Sequence, residues 1–150
     1  MFDLNLPTYE FNIRKNKDKM QIFDAWRHRF VALTPEEWVR QHFSRFLVEA
    51  KHFPAGRMMH EACVVVNGQK KRCDAVIYDE QMHPLVLLEY KAPNIPITQN
   101  VFNQIASYNY ALKVHYLMVS NGLMHYCCFV DYEKQTFEFL KEIPFFYDLT

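Results

Sequence analysis

Glycine is scarce in this chain. Only Gly56, Gly68 and Gly122 occur among 150 residues, which leaves no glycine-rich linker and no Walker-type phosphate loop. Long apolar runs are missing too. The longest aliphatic stretches, Val64-Val65-Val66 and Leu85-Val86-Leu87-Leu88, fall far short of the ~18 residues a membrane span needs. No apolar segment follows a basic start, so no secretory signal is expected. The four cysteines, 63, 73, 127 and 128, show no C-x-x-C spacing. Cys127 and Cys128 are adjacent, so in a strand they point to opposite faces and cannot share a metal. These absences imply reduced, buried thiols in a cytoplasmic protein without a membrane partner. Net charge is also absent: 17 basic residues balance 17 acidic ones, so the total draws the chain to no polyanion. The balance hides an asymmetry, because residues 1–75 carry 13 Lys and Arg against 9 Asp and Glu, and residues 76–150 carry 4 against 8. A basic front half points to an anionic partner.

Apolar side chains make up 50% of the chain and aromatics 16%, which excludes disorder and supplies one core. Residues 1–33 read as an arm or leader that packs on that core, with a solvated turn at Arg14–Lys19. Residues 34–150 read as a single domain. Its first helix has the clearest start in the chain: Thr34 as N-cap, Pro35 in the first position and Glu37 at the third, a capping box. Val39, Phe43, Phe46, Leu47 and Ala50 then follow at helical spacing, giving a helix over about 35–51. Beyond Pro54 and Gly56 the period changes to two. Strands are expected at 58–66 and 71–79, joined by the Asn67-Gly68 hairpin signal, and at 85–91, whose aliphatic start suggests burial on both faces. A second helix over 97–112, a strand at 114–120 and an antiparallel pair at 123–132 and 136–140 complete the chain. The expected class is α/β, with an α-β-β-β-α-β core around a mixed central sheet flanked by helices.

Three charged residues stand out at the ends of these strands. Glu89 and Lys91 are two apart and share one sheet face. A four-residue loop pairing Asp79 with Pro84 puts Asp74 directly opposite Glu89, where like charges repel. Two carboxylates converging beside an apolar strand need a proton, nearby bases or a cation, and Mg²⁺ is commonly held by one or two carboxylates plus water and phosphate. Lys91 would then place positive charge beside the reacting phosphate. The plainer account is a solvated charge ladder with Arg72. Against it, these charges end a Leu-Val-Leu-Leu run, at the carboxyl end of a strand followed by a helix, where α/β sheets tend to bind ligands.

Asp74, then Glu89-Tyr90-Lys91 in β-β-helix order behind a helix, resembles the PD-(D/E)xK nuclease superfamily. Pro35-Glu36-Glu37-Trp38-Val39-Arg40-Gln41, Arg72-Cys73-Asp74 and Leu88-Glu89-Tyr90-Lys91-Ala92-Pro93 are similar to the N-terminal nuclease domain of type I restriction enzyme R subunits. The resemblance covers roughly residues 34–120, with Cys73 in place of the superfamily's proline. It implies a restriction-endonuclease-like fold and a Mg²⁺-dependent DNA endonuclease, with Mn²⁺ as substitute. Residue by residue, it implies Asp74, Glu89 and the Tyr90 backbone carbonyl as metal ligands and Lys91 as the group that positions water. It makes Glu37, with Glu36 second, the helix-1 acid; the capping box accounts for Glu37 equally well. Gln104 and Tyr108 match the branch's Q-x-x-x-Y element, implied to orient the strand or Lys91. These 150 residues hold no helicase motor and no Walker-type phosphate loop, so either a stand-alone relative or an excised domain is expected, and ATP-driven translocation is not expected to carry over. DNA is the implied partner, with a homo-oligomer or a separate specificity or motor partner as the further expectation; sequence specificity would come from elsewhere or be absent.

Lys71 and Arg72, like the basic residues between 14 and 19, are candidate phosphate contacts. The seven histidines show no metal spacing, and the aromatic tail Phe145-Phe146-Tyr147 is expected to close the sheet edge. Two other classes compete with the nuclease: a weak or inactive module of the same fold that binds DNA or a protein, and a sheet-based assembly module whose charges are structural. Metal-induced thermal stabilisation separates the first from the last.

Overall fold

The computed structural model describes residues 2–149, apart from the side chain of Tyr110. Its elements run β1 (Ile13–Asn16), β2 (Lys19–Asp24), β3 (Arg29–Ala32), α1 (Pro35–Glu49), β4 (Met58–Val66), β5 (Gln69–Tyr78), β6 (Pro84–Tyr90), α2 (Gln99–Leu112), β7 (Tyr116–Ser120), β8 (His125–Asp131) and β9 (Thr136–Phe139). A six-stranded sheet has the order β4-β5-β6-β7-β8-β9. Only β6 and β7 are parallel, joined through α2, and every other neighbouring pair is antiparallel. This is the mixed α/β architecture expected from the alternation of strand and helix patterns. Among the described residues, no helix is long and apolar enough to cross a membrane.

The two helices cover opposite faces of the sheet. Val39, Phe43 and Leu47 of α1 pack on Ala75, Ile77, Val86, Leu88, Tyr90 and Met118. Ile105 and Tyr108 of α2 pack on Val76, Leu87, Leu117, Val119 and Cys128. Strand β6 is therefore buried on both sides, as its Leu-Val-Leu-Leu run implied. Cys73, Cys127 and Cys128 are buried and free, but Cys63 is exposed on β4, where the outward face of the hairpin meets solvent.

Residues 1–33, expected as an arm, form an extended segment followed by a three-stranded antiparallel sheet. Arg14–Lys19 supplies the facing ends of β1 and β2, with Lys17 and Asp18 turning the chain at positive φ. The buried positions of β2 are Ile22 and Asp24, and a charged residue on the inner face breaks the apolar alternation that marks a strand. Leu4 and Leu6 pack against the α1 side of the core. Leu4 lies where a Cβ at Gly122 would sit, 2.6 Å from Leu4 Cδ2, and Gly122 itself has φ +85°. A side chain there would meet both backbone strain and the N-terminal segment.

Two further expectations change. The aromatic tail does not cover the sheet edge. Phe146 packs on Phe53, with ring centroids 5.3 Å apart, and its N–H donates to Lys51 O, so the tail folds back over the end of α1. The capping box is only half formed. The Thr34 hydroxyl accepts from the Glu37 N–H at 3.0 Å, but the Thr34 N–H donates to Ala32 O. The Glu37 carboxylate is drawn to stronger partners.

Chief among these is Arg27, in the loop between β2 and β3. It donates to Asp24, to Glu37 Oε1 at 2.6 Å and to Glu61 Oε1 at 3.0 Å. One guanidinium thus ties the N-terminal sheet to α1 and β4. Asp24 is 1% exposed, and a buried carboxylate without its cation is costly. Arg27→Met is expected to lower stability by about 2–4 kcal/mol, below the upper range for breaking a buried pair because the Arg27 side chain is 17% exposed. Urea denaturation provides the measurement. A midpoint equal to wild type would mean that the N-terminal sheet is held by apolar contacts alone.

Candidate active site

The site lies where β5 and β6 stop pairing. Ladder pairs run Ile77↔Val86, Val76↔Leu87 and Ala75↔Leu88. One step further along this register sets Asp74 across from Glu89, although the loop closes differently from expectation. A bulge pairs Tyr78 rather than Asp79 with Pro84. Asp79 is taken into the turn instead, its carboxylate accepting the Gln81 and His83 N–H groups at 2.9 Å. Beyond Ala75 side chains replace the backbone ladder. The Tyr90 N–H donates to Asp74 Oδ2 at 2.7 Å and the Asp74 N–H to Glu89 Oε1 at 3.2 Å. The two carboxylates are thereby locked beside each other.

The opposite edge of β5 is also irregular here. His60↔Ala75 and Ala62↔Cys73 are ladder pairs, while Glu61 and Asp74 between them are not. Glu61 has φ +55°, a left-handed conformation that costs a non-glycine residue roughly 1–3 kcal/mol. Its carboxylate is held by Arg27. The strand is therefore kinked at the residue opposite Asp74, and a salt bridge fixes the kink.

Glu89 is 6% exposed. Burial, and then the adjacent Asp74, push its carboxyl up to about 8. Lys91 opposes this shift at both Glu89 and Glu36. The backbone of Lys91 is anchored on β7 by its N–H to Ser120 O at 2.9 Å. Tyr90, between them, points its ring into the α1 side of the core, where its hydroxyl hydrogen-bonds the Ser44 hydroxyl at 2.7 Å. Glu89 and Lys91 consequently alternate onto the α2 face. There Gln104 Nε2 donates to the Tyr108 hydroxyl at 3.0 Å, and burial, Glu89 and Asp74 all push the Tyr108 phenol upward. Lys71 and Arg72 are exposed on β5 just before Asp74.

The two helix-1 acids divide. The oxygens of Glu37 are taken by other side chains: Arg27 holds Oε1, and Gln41 Nε2 donates to Oε2 at 2.9 Å. Glu36 is exposed, and after burial the nearby Asp74 is what raises its carboxyl. Of the pair, Glu36 is the acid whose charge meets the site. Reasoning from the sequence missed Arg40, which lies 3.5 Å from Asp74 Oδ1 through Nη2 and 3.5 Å from Glu37 Oε2 through Nε. Its signal was the (i, i+3) spacing from Glu37.

Asp74 and Glu89 are the side chains that could hold a divalent cation. They offer hard oxygen donors; burial and then the Asp74 charge raise Glu89, and a cation would offset the second of these. Among the described residues no group of three or more His, Cys, Asp or Glu is placed to hold a metal ion. Water, backbone or substrate oxygens would have to complete any coordination shell.

Glu89 also sets a pH dependence. Below about 4.5, folded and unfolded chains both hold its proton. Between that value and about 8 only the folded chain keeps it, so its contribution to stability falls as pH rises through this window. Glu89→Gln mimics the protonated acid. In metal-free buffer its urea midpoint is expected to match wild type near pH 4.5 and to exceed it progressively up to pH 8. A difference independent of pH would contradict this coupling.

The comparisons with known proteins bear on the fold and the family. A fragment structure assigned to the HsdR subunit of a type I restriction enzyme from Vibrio vulnificus YJ016 aligns with TM-score 0.53 at 17% identity, over 75% of this chain and 24% of that one. The chain thus spans about a quarter of that structure's length. None of the curated proteins compared matches. The family model for the type I restriction enzyme R protein N terminus (HSDR_N) matches residues 35–144, from the first residue of α1 to just past β9. The chain belongs to this family of type I restriction enzyme R protein N termini.

Proposed function

We propose that the chain is a Mg²⁺-dependent DNA endonuclease domain of the PD-(D/E)xK type. The observation that carries the reading is the convergence of Asp74 and Glu89 at the end of the β5–β6 ladder, with the charge of Lys91 acting on Glu89. Family membership supports it. Asp74 and Glu89 would hold the metal, together with the Tyr90 carbonyl, and Mn²⁺ would substitute. When bound, the ion supplies Lewis acidity at the scissile phosphate. Lys91 places an ammonium where negative charge develops during attack on phosphorus, with departure of the 3′ oxygen. Glu36, rather than Glu37, is the helix-1 acid available to hydrogen-bond water there. Gln104 braces Tyr108 on the α2 face beside Glu89, and Lys71 and Arg72 lead into the site as phosphate contacts. Sequence specificity would come from outside these residues.

A positioned charge of this kind contributes on the order of a hundred- to thousand-fold in rate. With supercoiled plasmid as substrate, Lys91→Ala should lose nicking by that factor yet still gain thermal stability from Mn²⁺. Lys91→Arg should rescue poorly, since a planar guanidinium does not replace a compact ammonium. Asp74→Asn should lose both nicking and metal-induced stabilisation. Equal nicking by wild type and Lys91→Ala would remove Lys91 from the mechanism. A wild type that gains stability from metal without nicking would favour the second reading, an inactive binding module. That reading draws on the absence of a third metal-ligating side chain among the described residues.

A further inference from the structure

Arg40 is a buried cation whose hydrogen-bonding capacity is left largely unused. It is 6% exposed, yet Nε and Nη1 are buried without a hydrogen-bond partner. Both of its carboxylate contacts, to Asp74 and Glu37, are 3.5 Å long, near the limit for a hydrogen bond. Glu37 has little need of it, because Arg27 and Gln41 already occupy the Glu37 oxygens at 2.6 and 2.9 Å. The charge of Arg40 also reaches Glu36, but of the two carboxylates it contacts, Asp74 is the one that no other cation meets within salt-bridge distance among the described residues. The guanidinium is fixed by burial and by the Tyr90 ring, whose centroid lies 5.4 Å away. Tyr90 is in turn pinned through Ser44 of the same helix. Unsatisfied buried N–H groups cost stability, so this arrangement holds a charge in a fixed place at the expense of good bonds.

We propose that Arg40 is a positioning residue: the resident counter-cation of Asp74, which steadies that carboxylate in the metal-free protein and competes with the divalent ion for its charge. This rests on the metal site proposed above. A fixed positive charge a few ångströms from a ligand oxygen weakens binding of a second cation there, so its removal should tighten metal binding. Because Arg40 meets neither carboxylate bidentately, a point charge at that position should serve as well.

The test is a Mn²⁺ titration of thermal stability on wild type, Arg40→Met, Arg40→Gln and Arg40→Lys. In Arg40→Met the half-maximal Mn²⁺ concentration is expected to fall about ten-fold, with Arg40→Lys within about two-fold of wild type. Arg40→Gln keeps a polar group at the site without charge; it should follow Arg40→Met, and it carries the test if the apolar variant does not fold. If wild type binds Mn²⁺ while the uncharged variants bind equally or more weakly, Arg40 only organises the site and the counter-cation role is wrong. If Arg40→Lys behaves like Arg40→Met, charge is not the cause and the proposal also falls. A wild type that Mn²⁺ does not stabilise overturns the metal site itself, and this inference with it.

Discussion

Two carboxylates set side by side at the end of a ladder create a repulsion that the surrounding residues must absorb. Asp74 and Glu89 are held there by each other's backbone: the Tyr90 N–H binds Asp74 and the Asp74 N–H binds Glu89. Neither can swing away without breaking a bond that replaces the sheet ladder. Burial then raises Glu89, because a charge of like sign in a low-dielectric place is expensive. Around this constraint the fold recruits cations from three directions: Lys91 from just past the end of β6, Arg40 from α1, and Arg27 from the loop before β3. Arg27 acts one step removed, by occupying Glu37 and Glu61.

This explains why α1 buries polar side chains as well as apolar ones. Val39, Phe43 and Leu47 make its core stripe, while Glu37, Arg40, Gln41 and Ser44 are buried beside it. A helix that only needed a core would place solvent on that side. The same constraint gives the N-terminal sheet its purpose in the fold. Without Arg27, Glu37 would be free to take Arg40, and Asp74 would lose the guanidinium 3.5 Å away. Residues outside the span of the family model thus help set the electrostatics of the residues inside it.

The nuclease-like core was legible because its signals are local. Thr34-Pro35 starts α1, Asn67-Gly68 turns β4 into β5, and the aliphatic run of β6 announces burial on both faces. The opposition of Asp74 and Glu89 was legible for the same reason, since a period of two and one short loop define it; the bulge at Tyr78 altered the loop without moving the pairing above it. The N-terminal sheet was hidden because β1 is exposed throughout and β2 turns Asp24 inward. No hydrophobic alternation can reveal a strand whose buried position is a carboxylate satisfied by a residue three places on. The partition between Glu36 and Glu37 was hidden likewise: a capping box reads identically whether or not a distant arginine claims the glutamate. Arg40 belongs to the same class. Its importance lies in which carboxylate its neighbours leave to it, and that is a property of the assembled fold.

The sequence's charge asymmetry gains a physical meaning from this network. By formal charge, Asp24, Glu36, Glu37, Glu61 and Asp74 bring five negative charges together, and Arg27, Arg40 and Lys91 return three, before Glu89 is counted. The cluster is therefore net negative in a chain whose total is zero, so the remainder must be correspondingly positive. Much of that positive excess is exposed, on Arg14, Lys15, Lys17 and Lys19 of the first hairpin and on Lys70, Lys71 and Arg72 of the second. An electronegative pocket draws small cations, and a basic exterior draws polyanions. A domain proposed to bring a divalent ion and a phosphodiester to the same place needs opposite fields on two length scales. Spending two arginines inside, and leaving lysines outside, produces both from a neutral sequence.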